Sequence, residues 1–231
     1  MFTEATGIPV TRDVVKNRLA RIRELAEIEE AVPVVPENEE SFIFDEPPDR
    51  FMGLRQVFYD LETTNLSGLM GRLLCASFCD PWGNVITRTA TDFPQASLLD
   101  DSGLAEWTRD ELERHDINIG WNNFNFDQSF LNARLLRWGK RPLADRMSID
   151  PMYKARAGRY GARIGSSKLD NVQKYFRTED NKTSVDWDTW QLASMGDEAA
   201  MKYVVDHCEA DVRVLRAVFN HLKPLVRTIH R

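Results

Sequence analysis

In the run Val57-Phe-Tyr-Asp60-Leu-Glu62, two acids stand two residues apart among apolar neighbours. On an extended chain side chains alternate between faces, so Asp60 and Glu62 point one way and Leu61 the other. Their Cα atoms then lie about 7 Å apart. From that spacing two carboxylates can converge on a pair of Mg²⁺ ions roughly 4 Å from one another. Magnesium takes hard oxygen ligands and keeps several waters, so a few carboxylates suffice. Thr63, Thr64 and Asn65 follow, small and polar, and leave room for a substrate backbone. A strand end that fans charge into solvent would show the same D-x-E pattern.

Two further acids carry arguments of their own. Asp127 closes Gly120-Trp-Asn-Asn-Phe-Asn-Phe-Asp127, between a strand and a helix that runs through Phe130, Leu131, Leu135 and Trp138. Aspartate is a preferred helix cap, and the mouth of a strand is also where a third ligand would sit; both readings stand. Asp211 lies on an apolar stripe, with Val204, Cys208, Leu215, Val218 and Leu222 recurring at helical spacing around it. An uncompensated carboxylate there costs several kcal/mol. It needs a cation or hydrogen-bond donors, and a salt bridge to an arginine such as Arg134 is the competing explanation. His207 borders the same face one turn earlier. Asp150 reads as a helix cap before Pro151, while Asp206 and Glu209 face outward.

The elements that must position these groups are legible from periodicity. Thr11 to Ala31 reads as an amphipathic helix. Pro33, Pro36, Pro47 and Pro48 then break the chain within an acidic stretch from Glu37 to Asp49. Residues 1–54 are thus expected to form an N-terminal helical arm with a Pro/acidic linker, and residues 55–231 the main domain. Within it, strands are expected over Gln56–Leu61, Leu73–Cys79, Val85–Thr89, Ile117–Trp121 and a short run ending near Ile149. Asp80-Pro-Trp-Gly-Asn84 has hairpin chemistry, so the second and third strands should pair antiparallel. Helices are expected over Leu104–His115, Asp127–Trp138 and Asp197–Leu222, with only helix after Asp150. The class is α/β: a mixed five-stranded sheet flanked by helices.

Composition adds bounds. The chain has 231 residues and a formal net charge of −6, which argues against coating nucleic acid by bulk electrostatics but not against a local basic face. No apolar run reaches membrane-span length, and the start lacks the pattern of a secretory signal. Cys75, Cys79 and Cys208 fit no metal spacing and read as buried thiols, which implies a reducing, cytoplasmic setting.

Asp60-Leu-Glu62-Thr-Thr resembles the first motif of the DEDD superfamily of 3′–5′ exonucleases, the DnaQ-like branch of the ribonuclease-H-like fold. Asn122 and Asn123 through Phe126-Asp127 are similar to its second motif, and Tyr203-Val-Val-Asp-His207-Cys-Glu-Ala-Asp211-Val to its third. The resemblance spans Gln56 to Leu222 with the motifs in order, and a prokaryotic or phage-type predicted exonuclease group carries a similar HCxxDV helix. It implies a ribonuclease-H-like fold and two Mg²⁺ (or Mn²⁺) ions held by Asp60, Glu62, Asp127 and Asp211. It also implies hydrolysis of nucleic acid from a 3′ end to nucleoside 5′-monophosphates. The third motif departs from the pattern: His207-x3-Asp211 joins the histidine of one subclass to the spacing of the tyrosine subclass. His207 is the expected general base, with Tyr203 as the alternative.

For the substrate, Lys154–Lys182 holds Lys154, Arg156, Arg159, Arg163, Lys168, Lys174, Arg177 and Lys182, beside Tyr153 and Tyr160. Such a basic, aromatic stretch suits a single strand. Thr63, Asn123, Phe124, Lys168 and Tyr203 are the residues expected to contact it, Phe124 as a wedge against the terminal base. The N-terminal helix is a candidate for a protein partner, and no membrane contact is expected. Two other functions fit the same acids or the same fold: a structure-selective endonuclease (a junction resolvase or RNase-H-like enzyme), and a non-catalytic nucleic-acid-binding module.

Overall fold

The computed structural model describes residues 51, 53–94, 96–97, 99–156, 161–178 and 185–226. The chain divides into two units, Met1–Asp49 and Arg50–Arg231. The expected N-terminal helix and its linker lie outside the described residues, apart from a few positions after Arg50.

Five strands are present: β1 (Gln56–Thr63), β2 (Leu73–Cys79), β3 (Val85–Thr89), β4 (Ile117–Ile119) and β5 (Met147–Ile149). They lie in the order β3-β2-β1-β4-β5. The first three are antiparallel neighbours, and β4 and β5 run parallel to β1. The hairpin between β2 and β3 follows from Asp80, whose Oδ1 accepts from the N–H groups of Trp82 and Asn84, both at 2.9 Å. Gly83 supplies a φ of +100° that side chains resist. β2 is buried along its whole length, which is why it reads as an unbroken apolar run. β4 is shorter than the periodicity predicts, because Asn122 takes a φ of +61° and turns the chain away just beyond Gly120.

The helices are α1 (Ser102–Glu113), α2 (Asp127–Arg137), α3 (Met152–Arg156), α4 (Leu169–Phe176), α5 (Trp187–Ser194) and α6 (Glu198–Leu222). Val57, Tyr59 and Leu61 of β1 face α1 and α2, packing with Leu104, Leu112, Leu131 and Leu135. The opposite face of β1 presents Phe58, then Asp60, then Glu62, toward α6. Phe58 meets Phe219 edge-on, with ring centroids 5.4 Å apart, inside a cluster that includes Leu215, Val218 and Leu222. Further along, Val204 and Cys208 pack on Leu74 and Cys75.

The helix therefore runs antiparallel to β1. From Phe58 to Glu62 the strand advances roughly 13 Å, and from Phe219 back to Asp211 the helix retreats roughly 12 Å. The acids of the two elements arrive at one level. Asp197 starts α6 by accepting from the Ala200 N–H at 2.8 Å, a cap that fixes where the helix begins.

One buried ion pair ties the remaining layers. Asp101 accepts from Arg134 Nε and Nη2, both at 2.8 Å, from Trp138 Nε1 at 2.7 Å and from the Leu73 N–H at 2.7 Å. It joins the start of β2, the start of α1 and the middle of α2. Arg134, the arginine named as a partner for Asp211, is engaged by Asp101 instead. Breaking a buried pair strands the surviving charge and costs about 3–5 kcal/mol. Asp101→Asn is expected to lower unfolding free energy by about that amount in urea titrations; a loss under about 1 kcal/mol would mean that the pair is not a clamp.

Candidate active site

Three side chains of the third motif region and the two acids of β1 form one cluster. His207 Nε2 lies 3.6 Å from Glu62 Oε1 and 4.0 Å from Asp211 Oδ2. Cys208 Sγ lies 3.7 Å from Asp60 Oδ2 and 3.5 Å from the Asp60 carbonyl oxygen. Glu62, His207 and Asp211 are all at least nine-tenths covered. The stripe reading of α6 is thus realised: Val204, Cys208, Asp211, Leu215 and Val218 all face inward. Tyr203, one turn before His207, is 45% exposed. Between the two candidates, it is His207 that meets the acids.

Cys208 is the member that sequence reasoning passed over. Its thiol, with the carboxylates of Asp60 and Glu62, makes a group able to hold a metal ion. Burial pushes the thiol pKa well up, and neighbouring Cys75 adds to that push. A protonated thiol is a poor ligand and a weak donor. Cys208 is accordingly a donor that steadies Asp60, and hard carboxylate oxygens are the ligating atoms. Its position on the apolar stripe, three residues before Asp211, was the available signal.

Asp127 lies beside β1, past the end of its pairing with β4. β1 pairs with β4 only as far as Phe58 and Ile119, so the strand edge beyond is open on that side. The Asp127 carboxylate takes a donor there, the Leu61 N–H. Capping, one of its two readings, is not its role: Asp127 is the first residue of α2, and the cap position is Phe126. Burial pushes its pKa up to about 7; the charge of Asp150 adds to the rise, and the N–H groups of Asp127 itself and Leu61 oppose it. Asp127 is 3% exposed and does not line the cleft described below.

Asp150 carries the capping role expected of it. Its Oδ1 accepts from the Met152 N–H and the Asn122 N–H, both at 3.0 Å. The second bond holds the strained turn of Asn122. Burial lifts Asp150 to about 6 against those two donors.

A cleft of about 530 Å³ opens over Asp60 and Asp211, walled by Trp121, Asn122, Asn125, Met152, Arg156 and Lys168 among others. Its floor is acidic and its rim carries two cations from the basic stretch. Lys168, expected to contact substrate, lines this cleft. Arg159, Tyr160 and Lys182 lie outside the described residues. Phe124 rests against Tyr153, ring centroids 6.4 Å apart, and Thr63 Oγ1 donates to the Asn65 carbonyl at 3.0 Å. The expectation for Asn123 needs correction. It is fully buried, and its amide donates to Ser148 Oγ at 3.1 Å and the Ile149 carbonyl at 3.3 Å. It braces the turn onto β5; Asn122 and Asn125, its neighbours, are the ones on the cleft.

Residues 57–223 match the profile of the RNase_H superfamily. The chain is similar in fold to the family B DNA polymerase from the hyperthermophilic archaeon Pyrobaculum calidifontis, at a TM-score of 0.56 and 16% identity. That likeness covers 74% of this chain and 25% of the polymerase, so the chain spans about a quarter of that protein's length. No curated protein matches the sequence. Among the described residues no helix is long and apolar enough to cross a membrane.

The elevated carboxyl of Asp127 generates a prediction. Its folded-state pKa of about 7 exceeds the unfolded value of about 3.9. The folded state then holds the extra proton between those limits, and stability falls as pH rises from about 4 to about 7. In EDTA, the melting temperature is expected to drop between pH 5 and pH 8, with a shallower drop in Asp127→Asn. Equal slopes for the two proteins in a pH series would show that burial of this carboxyl does not govern the dependence.

Proposed function

This chain belongs to the RNase_H superfamily, and from that premise we propose that it is a metal-dependent 3′–5′ exonuclease releasing nucleoside 5′-monophosphates from a single-stranded end. The observation that carries the reading is the meeting of Asp60 and Glu62 of β1 with His207 and Asp211 of α6. A histidine within 4 Å of two carboxylates, beside a cleft with a basic rim, suits phosphodiester hydrolysis better than binding alone.

The donor set fits divalent cations. Carboxylate oxygens suit Mg²⁺ or Mn²⁺, and a carboxyl raised by burial, as Asp127 is, gains most from a neighbouring cation. Asp60, Glu62, Asp211 and Asp127 would hold two such ions. When bound, such ions supply Lewis acidity and neutralise charge on the attacking and leaving oxygens.

The chain's own residues do the rest. Arg156 and Lys168 draw the phosphate backbone over the acidic floor. His207 Nε2 accepts the proton of the attacking water, and Glu62 and Asp211 offset the charge that the ring gains. Cys208 holds Asp60 in one orientation. Asp150 and Asn123 keep the Asn122 turn in place, so that Trp121, Asn122 and Asn125 form a fixed wall against the terminal nucleotide.

Asp60→Asn and Asp211→Asn are each expected to abolish Mn²⁺-dependent cleavage of a labelled single strand while circular dichroism stays unchanged. Undiminished hydrolysis in either variant would remove the assignment. His207→Ala is expected to lower kcat by about 10²–10⁴-fold, and Tyr203→Phe to leave it within about threefold of the parent. Equal losses in both would put the base elsewhere. A ladder of mononucleotides is the expected product, whereas paired internal nicks in a labelled four-way junction would replace the exonuclease reading with the endonuclease one.

A further inference from the structure

A second pocket, of about 210 Å³, lies beyond the carboxyl end of β1 and is lined by Thr64, Leu69, Met70, Arg72, Arg134 and Arg137 among others. Thr64 is two residues past Glu62, so their Cα atoms are at most about 7 Å apart, and the pocket is a nucleotide's reach from the proposed cleavage site.

Its charge is out of balance. Arg134 is neutralised by Asp101. Arg72 is only 6% exposed and donates from Nη2 to the Ser194 carbonyl at 2.6 Å. Among the described residues Arg72 has no carboxylate within ion-pair distance. Burial depresses its pKa, and Asp101 and Arg134 act on it with opposite sign. Arg137, exposed, adds a cation at the mouth. One buried carboxylate thus faces two buried guanidiniums, on a chain whose net charge is −6. A buried charge without a counter-charge is costly, and guanidinium groups suit phosphate through their forked donors.

The rim differs from an ordinary surface. Leu66, Leu69 and Met70 are 84%, 80% and 75% exposed, on the loop that joins β1 to β2. A contiguous exposed apolar patch beside cations marks a binding surface. A ligand that meets both features carries a phosphate next to a flat apolar group.

We propose that this pocket seats a backbone phosphate of the single-stranded substrate, held by Arg72 and Arg137, with the adjoining base resting on Leu69 and Met70. The identity of the strand rests on the nuclease reading above; the anion site itself does not. The pocket then sets how many nucleotides past the cleavage site the protein must grip, and it favours strands over isolated nucleotides.

The test reads binding, not cleavage. The full chain is mixed with a fluorescein-labelled oligothymidylate, with Ca²⁺ in place of Mg²⁺, and followed by fluorescence anisotropy. Arg72→Met and Arg137→Ala are each expected to weaken binding about tenfold, the loss of one charge-assisted contact. Each should also lower the slope of log Kd against log salt by about 0.7, one phosphate contact on a single strand. Arg88→Ala, on the exposed edge strand β3, removes the same charge elsewhere and should change neither quantity. If Arg72→Met fails to fold, the exposed Arg137 still decides the outcome. Unchanged affinity and slope in Arg137→Ala, or an equal loss in Arg88→Ala, overturns the proposal. So does competition by inorganic phosphate as effective as that by unlabelled strand, which would assign the pocket to free phosphate. Failure of the parent protein to hydrolyse any strand would sink the nuclease reading while leaving this comparison intact.

Discussion

Where α6 crosses β1, the contact of Phe219 with Phe58 decides how far along the strand the polar residues of the helix fall. Both elements change character at the same height. Below it they are apolar, and Phe58, Leu215, Val218 and Phe219 close against one another. Above it β1 offers Asp60 and Glu62 while α6 offers His207 and Asp211. A shift of one helical turn would carry His207 about 5 Å from Glu62 and set acids against apolar surface. The hydrophobic contact therefore fixes the register of the chemistry, although none of its residues has chemistry to perform.

Gathering carboxylates in a covered site is costly, and the surroundings show how the fold sustains it. Asp127 takes one donor from the unpaired edge of β1, the Leu61 N–H, and still sits at about 7. Asp150 takes two backbone donors and still sits at about 6. Positive charge beside either carboxyl would favour its ionisation. The clamp of Asp101 and Arg134 neutralises one of the two buried guanidiniums beside the end of β1, and among the described residues the other, Arg72, has no acid within ion-pair distance.

Much of this was legible along the chain because the signals are local. Alternation in β1 put Asp60 and Glu62 on one face, helical spacing put Asp211 on a buried stripe, and Asp80 with Gly83 wrote the hairpin. The same logic set the bounds of β2 and β3, whose periodicity no tertiary contact overrides. Local signals failed where partners are remote. Asp101, three residues ahead of a helix that the pattern placed at Leu104, gave no hint that Arg134 and Trp138 would converge on it. Asn123 sits in a motif and reads as a contact residue, yet a turn with positive φ at Asn122 sends its amide inward to β5.

The sequence by itself determined which residues share a face, since that depends only on the period of strand and helix, and so it determined the acids of β1 and the stripe of α6. Tertiary structure alone decided which faces meet. The antiparallel seating of α6 sets His207 opposite Glu62, because a single turn separates it from Tyr203 and only packing against Phe58 says which turn lies there. Likewise the shortness of β4 leaves the edge of β1 open, and that opening is what brings Asp127 beside Leu61, some 66 residues later in the chain. The four acids were written in order along the sequence; the meeting of Asp60, Glu62 and Asp211 was a consequence of how α6 packs on β1.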